Sequence, residues 1–472
     1  MRPLRSFPVL AASALLSVQA ICAQAAPTGQ RLVITGVTVV DVRDGRLMPG
    51  RTVVVAGSRI VSVGSGRARS RSSGDRVIDA RGKFMIPGLW DMHVHSAVAA
   101  QRELPLYLAL GITGVRNMHA TPDSALALVQ GIKRRLASGT LVGPRFIANG
   151  AVIDGPQPAQ PGSVAVGTAD AARRAVDSLV AGGADFVKVY IRLPRDAYFG
   201  VAAQAKARGV PLVGHVPIAV RVEEVADAGQ RSIEHTHELD WSCSTMGDSI
   251  RTAFLGDPAP NRNTYRRARA ALAATWSGAQ CASAIAALKR NGTWFVPTLV
   301  VAWAPTAGDS VLADSAAVAV VPSATVERWR SGERGLPPEA RIMAESEVRN
   351  GLSLVRLLHE AGVPLLAGTD VGNPFVIPGY SLHTELALLV RAGLTQLAAL
   401  QAATLQPARF LAATDSLGTV ERGKLADLVL LDANPLADIR NTARIRAVIA
   451  NGRYFDRAAL DALLAAAAQS SK

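Results

Sequence analysis

Gly88-Leu89-Trp90-Asp91-Met92-His93-Val94-His95-Ser96 follows directly on the apolar run Phe84-Met85-Ile86-Pro87, and the reading of this stretch decides how the rest of the chain folds. An apolar segment that turns polar at its end reads as a buried strand emerging from a core. Strand side chains alternate between faces, so His93 and His95 share one face, with Cα atoms about 7 Å apart. Two imidazoles held that way suit one divalent cation. The same pair could equally be satisfied core or surface histidines, so the motif needs company. It has company in four later strand-like segments that each end in a turn and each carry one more candidate ligand.

Those segments belong to a longer series. Strands are expected at Met85 to Ser96, Ile112 to Met118, Arg145 to Val152, Phe186 to Tyr190, Leu212 to Val216, Ser232 to Thr236, Trp294 to Leu299 and Leu365 to Asp370, alternating with Ala- and Leu-rich helical runs. Alternation of this kind makes βα units and a parallel sheet. Eight units argue for an α/β fold of the (β/α)8, TIM-like barrel type, whose sites lie at the C-terminal ends of the strands. An open doubly wound sheet is the alternative, but no glycine-rich dinucleotide fingerprint follows the first strand. The connections His237 to Gly292 and Val300 to about Arg341 are long, and inserts after barrel strands commonly build a pocket or a lid.

Both ends of the chain are β-rich. Short runs such as Leu32-Val33-Ile34-Thr35 and Thr52-Val53-Val54-Val55 precede the barrel, and Leu428 to Leu431, Ile445 to Ile449 and the Asn451-Gly452 turn follow it. The two ends can close into one small composite β-sandwich domain. The expected organisation is a signal peptide at 1–26, the N-terminal part of the β-sandwich at 27–84, the barrel at 85–405, the C-terminal part of the β-sandwich at 406–457, and a helix and tail at 458–472.

The signal peptide rests on Arg2 and Arg5, the apolar run from Val9 to Ile21 and the small-x-small pattern Ala23-Gln24-Ala25. The run is short for a membrane span, so an exported protein, periplasmic or secreted and without an integral span, is expected. The formal charge of +14 falls to +12 on losing those two arginines. The remaining basic residues are scattered, with no aromatic-interleaved patch, which argues against nucleic acid as partner. A small-molecule substrate and a homo-oligomeric state are expected instead. Cys243 and Cys281 remain after the signal is lost; in an oxidising compartment they can pair, or they can be two buried thiols.

The candidate ligands each have a structural alternative. Lys188 lies in Ala184-Asp-Phe-Val-Lys-Val-Tyr190, a run that a parallel strand would bury, where a bare ammonium is costly. It could reach the strand end and pair with a carboxylate, or be carbamylated and so become a carboxylate-like bridge between metals. His215 and His235 each close a short strand and could be core histidines. Asp370 ends the last strand and could be a helix cap. Taken in order, however, two histidines on strand 1, a lysine on strand 4, histidines on strands 5 and 6 and an aspartate on strand 8 all meet at one rim.

This ordered set resembles the metal-dependent amidohydrolase superfamily, of the binuclear type with a bridging carbamylated lysine, and Gly418-Thr-Val-Glu-Arg-Gly-Lys-Leu-Ala-Asp-Leu428 resembles its β-domain. Gly362-Val-Pro-Leu-Leu-Ala-Gly-Thr-Asp370 and Pro378-Gly-Tyr-Ser-Leu-His-Thr-Glu-Leu386 look most like the branch of Xaa-Pro dipeptidases (prolidases), imidazolonepropionase-like proteins and ochratoxin-degrading amidases. The resemblance implies that His93, His95 and Asp370 hold the more buried of two divalent metal ions, His215 and His235 the other, with carbamylated Lys188, carrying carbon dioxide, as the bridge. Zinc fits these ligands, and manganese or cobalt could substitute. The implied chemistry is hydrolysis of an amide C–N bond by a metal-bridging hydroxide, with Asp370 as the catalytic proton carrier. A dipeptide of Xaa-Pro type, an N-acyl amino acid or a similar carboxylate-bearing compound is the expected substrate. A lactonase or phosphotriesterase-like esterase on the same site is the alternative. A non-catalytic barrel would be expected to have lost a ligand, and none of the six is missing. Substrate contacts are expected from Tyr190 and Arg192 beyond Lys188, from His237 beyond His235, from His119 after strand 2, and from Tyr380 and His383 in the loop after strand 8.

Overall fold

The computed structural model describes residues 30–65, 74–120, 125–257, 261–333 and 338–471; the expected signal peptide lies outside them. The two β-rich ends share one sheet. In order across it run Arg453–Phe455, Ile445–Ala450, Leu428–Leu431, Phe84–Pro87, Arg31–Val40, Leu47–Ala56 and Arg59–Ser65, with Arg76–Asp79 paired to Arg31–Val40 off this path. Phe84–Pro87 is the splice: it runs parallel to Arg31–Val40 and antiparallel to Leu428–Leu431, with Val429 opposite Ile86. Alternate residues of these strands, among them Ile34, Val53, Met85, Leu428 and Ile449, bury one apolar cluster.

The stretch expected as one strand from Met85 to Ser96 is therefore two. Phe84–Pro87 stays in the terminal sheet, and Leu89–Val94 begins a second, three-stranded parallel sheet with Ile112–Asn117 and Arg145–Ala148. Gly88 makes the break possible, since a Cβ there would collide with the Thr113 side chain. Leu89–Val94 is buried at every residue, as a strand covered on both faces must be.

A further parallel sheet runs Val164–Ala165, Ile153–Asp154, Val187–Val189, Leu212–Gly214, Ser232–Glu234 and Trp294–Val296. The expected eighth strand, Leu365 to Asp370, forms no regular ladder, yet it is bonded on both sides. Leu366 N donates to Phe295 O at 3.0 Å, while Met92 N donates to Ala367 O at 2.9 Å and Asp370 N to His93 O at 2.7 Å. These bonds join the two parallel sheets. Helices such as Ala169–Ala181, whose N-terminus is capped by the Thr168 hydroxyl, pack their apolar sides against the strands.

Both long connections are helical. The first carries Asp240–Cys243, Gly247–Gly256, Arg262–Ala274 and Ala282–Asn291, and Cys243 is disulfide-bonded to Cys281 across it. The second runs through four short helices into the 24-residue helix Pro338–Ala361. The chain closes with the helix Arg457–Gln469. Among the described residues, no helix is long and apolar enough to cross a membrane.

Candidate metal centre

Four of the parallel strands stop where a polar residue turns toward a common site. His93 lies on Leu89–Val94 with His95 just past its end, Lys188 is the middle residue of Val187–Val189, and His215 and His235 directly follow Leu212–Gly214 and Ser232–Glu234. The turn is backbone strain as well as sequence. His235, Thr298 and Asp370 have φ of 71°, 47° and 56°, a left-handed region that side chains other than glycine seldom enter. Gly214, with φ 121°, lets the strand approach its neighbour; a Cβ there would lie 2.5 Å from Val189 O and 2.9 Å from Lys188 Cγ.

Asp370 is the hub. One carboxylate oxygen lies 2.9 Å from His95 Nε2 and 3.3 Å from His93 Nε2, and the other lies 3.7 Å from His235 Nδ1. Lys188 Nζ is 3.5 Å from His93 Nε2. The His215 and His235 rings are 4.8 Å apart at their centroids, and His93 and His235 are 4.6 Å apart. All six expected ligands thus meet in one place. One group joins His93, His235 and Asp370, with ligand atoms within 4.8 Å of one another, and a second such group joins His215, His237 and Glu238.

The polar surroundings aim these rings. His93 Nδ1 is 3.0 Å from Glu234, His215 Nδ1 is 2.7 Å from Glu238, and His235 Nδ1 is 2.8 Å from the Thr298 hydroxyl. Occupying Nδ1 turns Nε2 toward the cavity and fixes the tautomer, as outer partners of metal-binding histidines do. Glu234 is held in turn by the fully buried Arg116, at 2.8 and 2.9 Å, and by the Ser232 hydroxyl. Burial depresses His95 to about 4 and lowers His215 and His235, so these imidazoles are neutral at pH 7. Burial also brings Lys188 down to about 8. Burial would raise Asp370, but the electrostatic pull of the His93 and His235 rings beside it and the hydrogen bonds from His93 and His95 hold it well below the usual carboxylate range. Neutral imidazoles and an ionised carboxylate are the donor set that a divalent cation of the zinc type takes.

The cavity has a volume of about 690 Å³ and is lined by His95, Lys188, His215, His235 and Asp370 together with residues of both long inserts. His119, Tyr190 and His237, expected as substrate contacts, also line it. Gln160 donates to the Tyr190 hydroxyl oxygen at 2.8 Å, which leaves the phenolic O–H free to donate. Burial pushes that phenol up to about 12, so it stays protonated. Three other expectations are corrected. The Arg192 guanidinium is turned to Gln157 O, Tyr380 donates to Ala316 O, and His383 is buried between Thr442 and Leu110 O. None of the three lines the cavity. Tyr380 and His383 sit in the helix Tyr380–Arg391 rather than in a loop, and its buried side carries His383 to Thr442 in the turn Ile439–Ala443.

Sequence reasoning missed Glu234, Glu238, Arg116, Thr298 and Asp91. Asp91 accepts from Thr369 and from the His93 amide, and burial raises it to about 7.

Comparison with known proteins agrees with this geometry. The model of the amidohydrolase family matches residues 84–454. The chain belongs to the amidohydrolase family of hydrolases. It is 26% identical over 410 residues to an imidazolonepropionase of Anaeromyxobacter dehalogenans strain 2CP-1, covering 82% of this chain and 85% of that protein. It matches several adenine deaminases over shorter stretches, spanning 11–19% of their length. Among solved structures, the bottromycin amidohydrolase AH aligns with a TM-score of 0.70 at 26% identity over 93% of this chain and 90% of that one. A Xaa-Pro dipeptidase with methionine bound in its active site aligns with a TM-score of 0.67 at 22% identity over 90% of this chain and all of the other. The α/β fold is thus TIM-barrel-like, and the family implies divalent metal ions, which the residues present fit.

Proposed function

We propose that this protein is a binuclear metal-dependent hydrolase that cleaves an amide C–N bond in a small carboxylate-bearing compound, a dipeptide of Xaa-Pro type or an N-acyl amino acid. The observation that carries the reading is the convergence of His95, Lys188, His215, His235 and Asp370 on one cavity, with His93 buried behind it 3.3 Å from Asp370 and with Nδ1 of three of the histidines already engaged. When bound, two divalent cations, zinc by preference, supply an acidified water and a Lewis acid for the carbonyl. The chain's own part follows from its geometry. Asp370, held ionised beside His95, accepts a proton and can pass it to a leaving amine. The free Tyr190 O–H donates to an oxyanion or a carboxylate, and His119 and His237 border the same space.

Lys188 as a carbamate bridge is part of this reading. Its burial and lowered pKa favour the neutral amine that reacts with carbon dioxide. The fold reading is a closed (β/α)8 barrel at 85–405, supported by the bonds that residues 365–370 make on both sides, and a small β-sandwich domain built from 27–84 and 406–457, for which the support is that strands of both ends share one sheet. Export after removal of residues 1–26 is supported by the Cys243–Cys281 disulfide, since such bonds persist in oxidising compartments. The test is a parallel panel of Xaa-Pro dipeptides, N-acyl amino acids, lactones and phosphotriesters on chelated protein reconstituted with zinc, manganese or cobalt. Metal-dependent turnover of amides is the expected result. Turnover confined to lactones or phosphotriesters would replace the amide reading.

A further inference from the structure

The insert that follows His237 builds one wall of the cavity. It contributes Asp240, Tyr265, Arg266 and Arg269, and Glu347 of the helix Pro338–Ala361 faces them. Arg269 ion-pairs with Glu347, its guanidinium 2.8 Å from that carboxylate, while its Nε meets no hydrogen-bond acceptor among the described residues. Asp240 is not. The residue is only 7% exposed, it lines the cavity, and no described residue hydrogen-bonds or ion-pairs with its carboxylate. Nor does it cap its own helix: Asp240–Cys243 has Leu239 at the N-cap position, without a side-chain cap. Burial pushes this carboxyl group up to about 8, so it holds a negative charge at neutral pH only where a cation meets it, and the space it borders is the one a substrate enters.

The charges around it say which donor. Glu347 and Glu238 add negative potential at Asp240, which the positive charge of Arg269, itself ion-paired with Glu347, offsets only in part. A cationic donor is therefore preferred over a neutral one, because ionised partners make hydrogen bonds about twice as strong. We propose that Asp240 receives a primary ammonium group of the substrate, so that the enzyme takes amides with a free amine, such as dipeptides, in preference to their N-acylated counterparts. This rests on the amide reading above and chooses between the two substrate classes left open there.

The experiment uses the metal-reconstituted full chain and three matched probes: Leu-Pro, its des-amino analogue 4-methylpentanoyl-proline, and N-acetyl-Leu-Pro. Binding is followed by calorimetry and hydrolysis by proline release. Wild type is expected to bind Leu-Pro about 10- to 100-fold more tightly than the other two, the value of one charged hydrogen bond. Asp240→Asn is expected to erase that preference while leaving metal content and the affinity for the des-amino probe unchanged, and Asp240→Glu to restore part of it. Equal affinity for the three probes in wild type, equal loss on all of them in Asp240→Asn, or no binding of any would overturn the inference. Better cleavage of N-acetyl-Leu-Pro would also overturn it, with amide hydrolysis intact. Selective binding of Leu-Pro without cleavage would uphold it and remove the amide reading instead.

Discussion

Glu234→Gln isolates the support beneath the metal centre. Glu234, Arg116 and His93 all have fully buried side chains; the carboxylate lies 3.0 Å from His93 Nδ1 and 2.8 Å from the Arg116 guanidinium. The substitution keeps shape and one acceptor oxygen but removes the charge, with two separable consequences. Arg116 becomes a buried cation without its counter-ion, and breaking such a pair costs about 3–5 kcal/mol. Solvent does not soften that figure, since neither partner is exposed. His93 loses the charged acceptor that fixes its tautomer, and losses of this kind cost about 10- to 100-fold in metal affinity or activity. Urea unfolding of metal-free protein reads the first effect, and competition with a chromogenic chelator reads the second. Adding Arg116→Met to Glu234→Gln is expected to recover most of the stability, because no stranded charge remains, and to recover none of the metal affinity. A Glu234→Gln protein with the wild-type urea midpoint and wild-type zinc affinity would refute the reasoning, and so would a double variant that regained metal affinity.

Three further outcomes follow from the same geometry. Lys188→Ala is expected to abolish loading of the metal pair and turnover together; in wild type, reconstitution of metal-free protein with zinc at fixed carbon dioxide pressure is expected to depend on pH. Lys188 is held near 8 by burial and only the neutral amine reacts, so the rate should rise about tenfold per unit as pH approaches 8 from below and level off above it; normal metal content in Lys188→Ala, or a flat profile, would remove the carbamate. Reducing the Cys243–Cys281 bond, which joins positions 38 apart in the sequence, is expected to cost about 4 kcal/mol in urea unfolding and to raise KM, because it pins the helix that starts at Asp240. An unchanged KM after reduction would show that the insert holds its shape without it.

What was legible in the sequence, and what was not, divides along one physical line. A strand's alternation is local, so two histidines two residues apart could be placed on one face before any partner was known, and the strand ends could be ordered around a rim. The partners of those histidines lie far along the chain: Glu234 meets His93 across 141 residues, and Thr298 meets His235 across 63. No periodicity reports such pairs. A weaker signal was available all the same. Arg116 in Val115-Arg116-Asn117 and Glu234 in Ile233-Glu234-His235 are opposite charges on strands expected to be buried on both faces, where each needs a counter-ion. Pairing them would have found the support for His93. The positive φ of His235, Thr298 and Asp370 had no such signal, because none is glycine and the strain is imposed by the packed rim. His383 shows the converse error. The sequence leads one to expect a loop after the last strand, whereas the chain resumes a helix at Tyr380 whose apolar spacing, Leu382, Leu386 and Leu389, carries His383 inward to Thr442. Helical period, once recognised there, would have moved His383 from the substrate to the core, and it leaves the metal centre to residues that end strands.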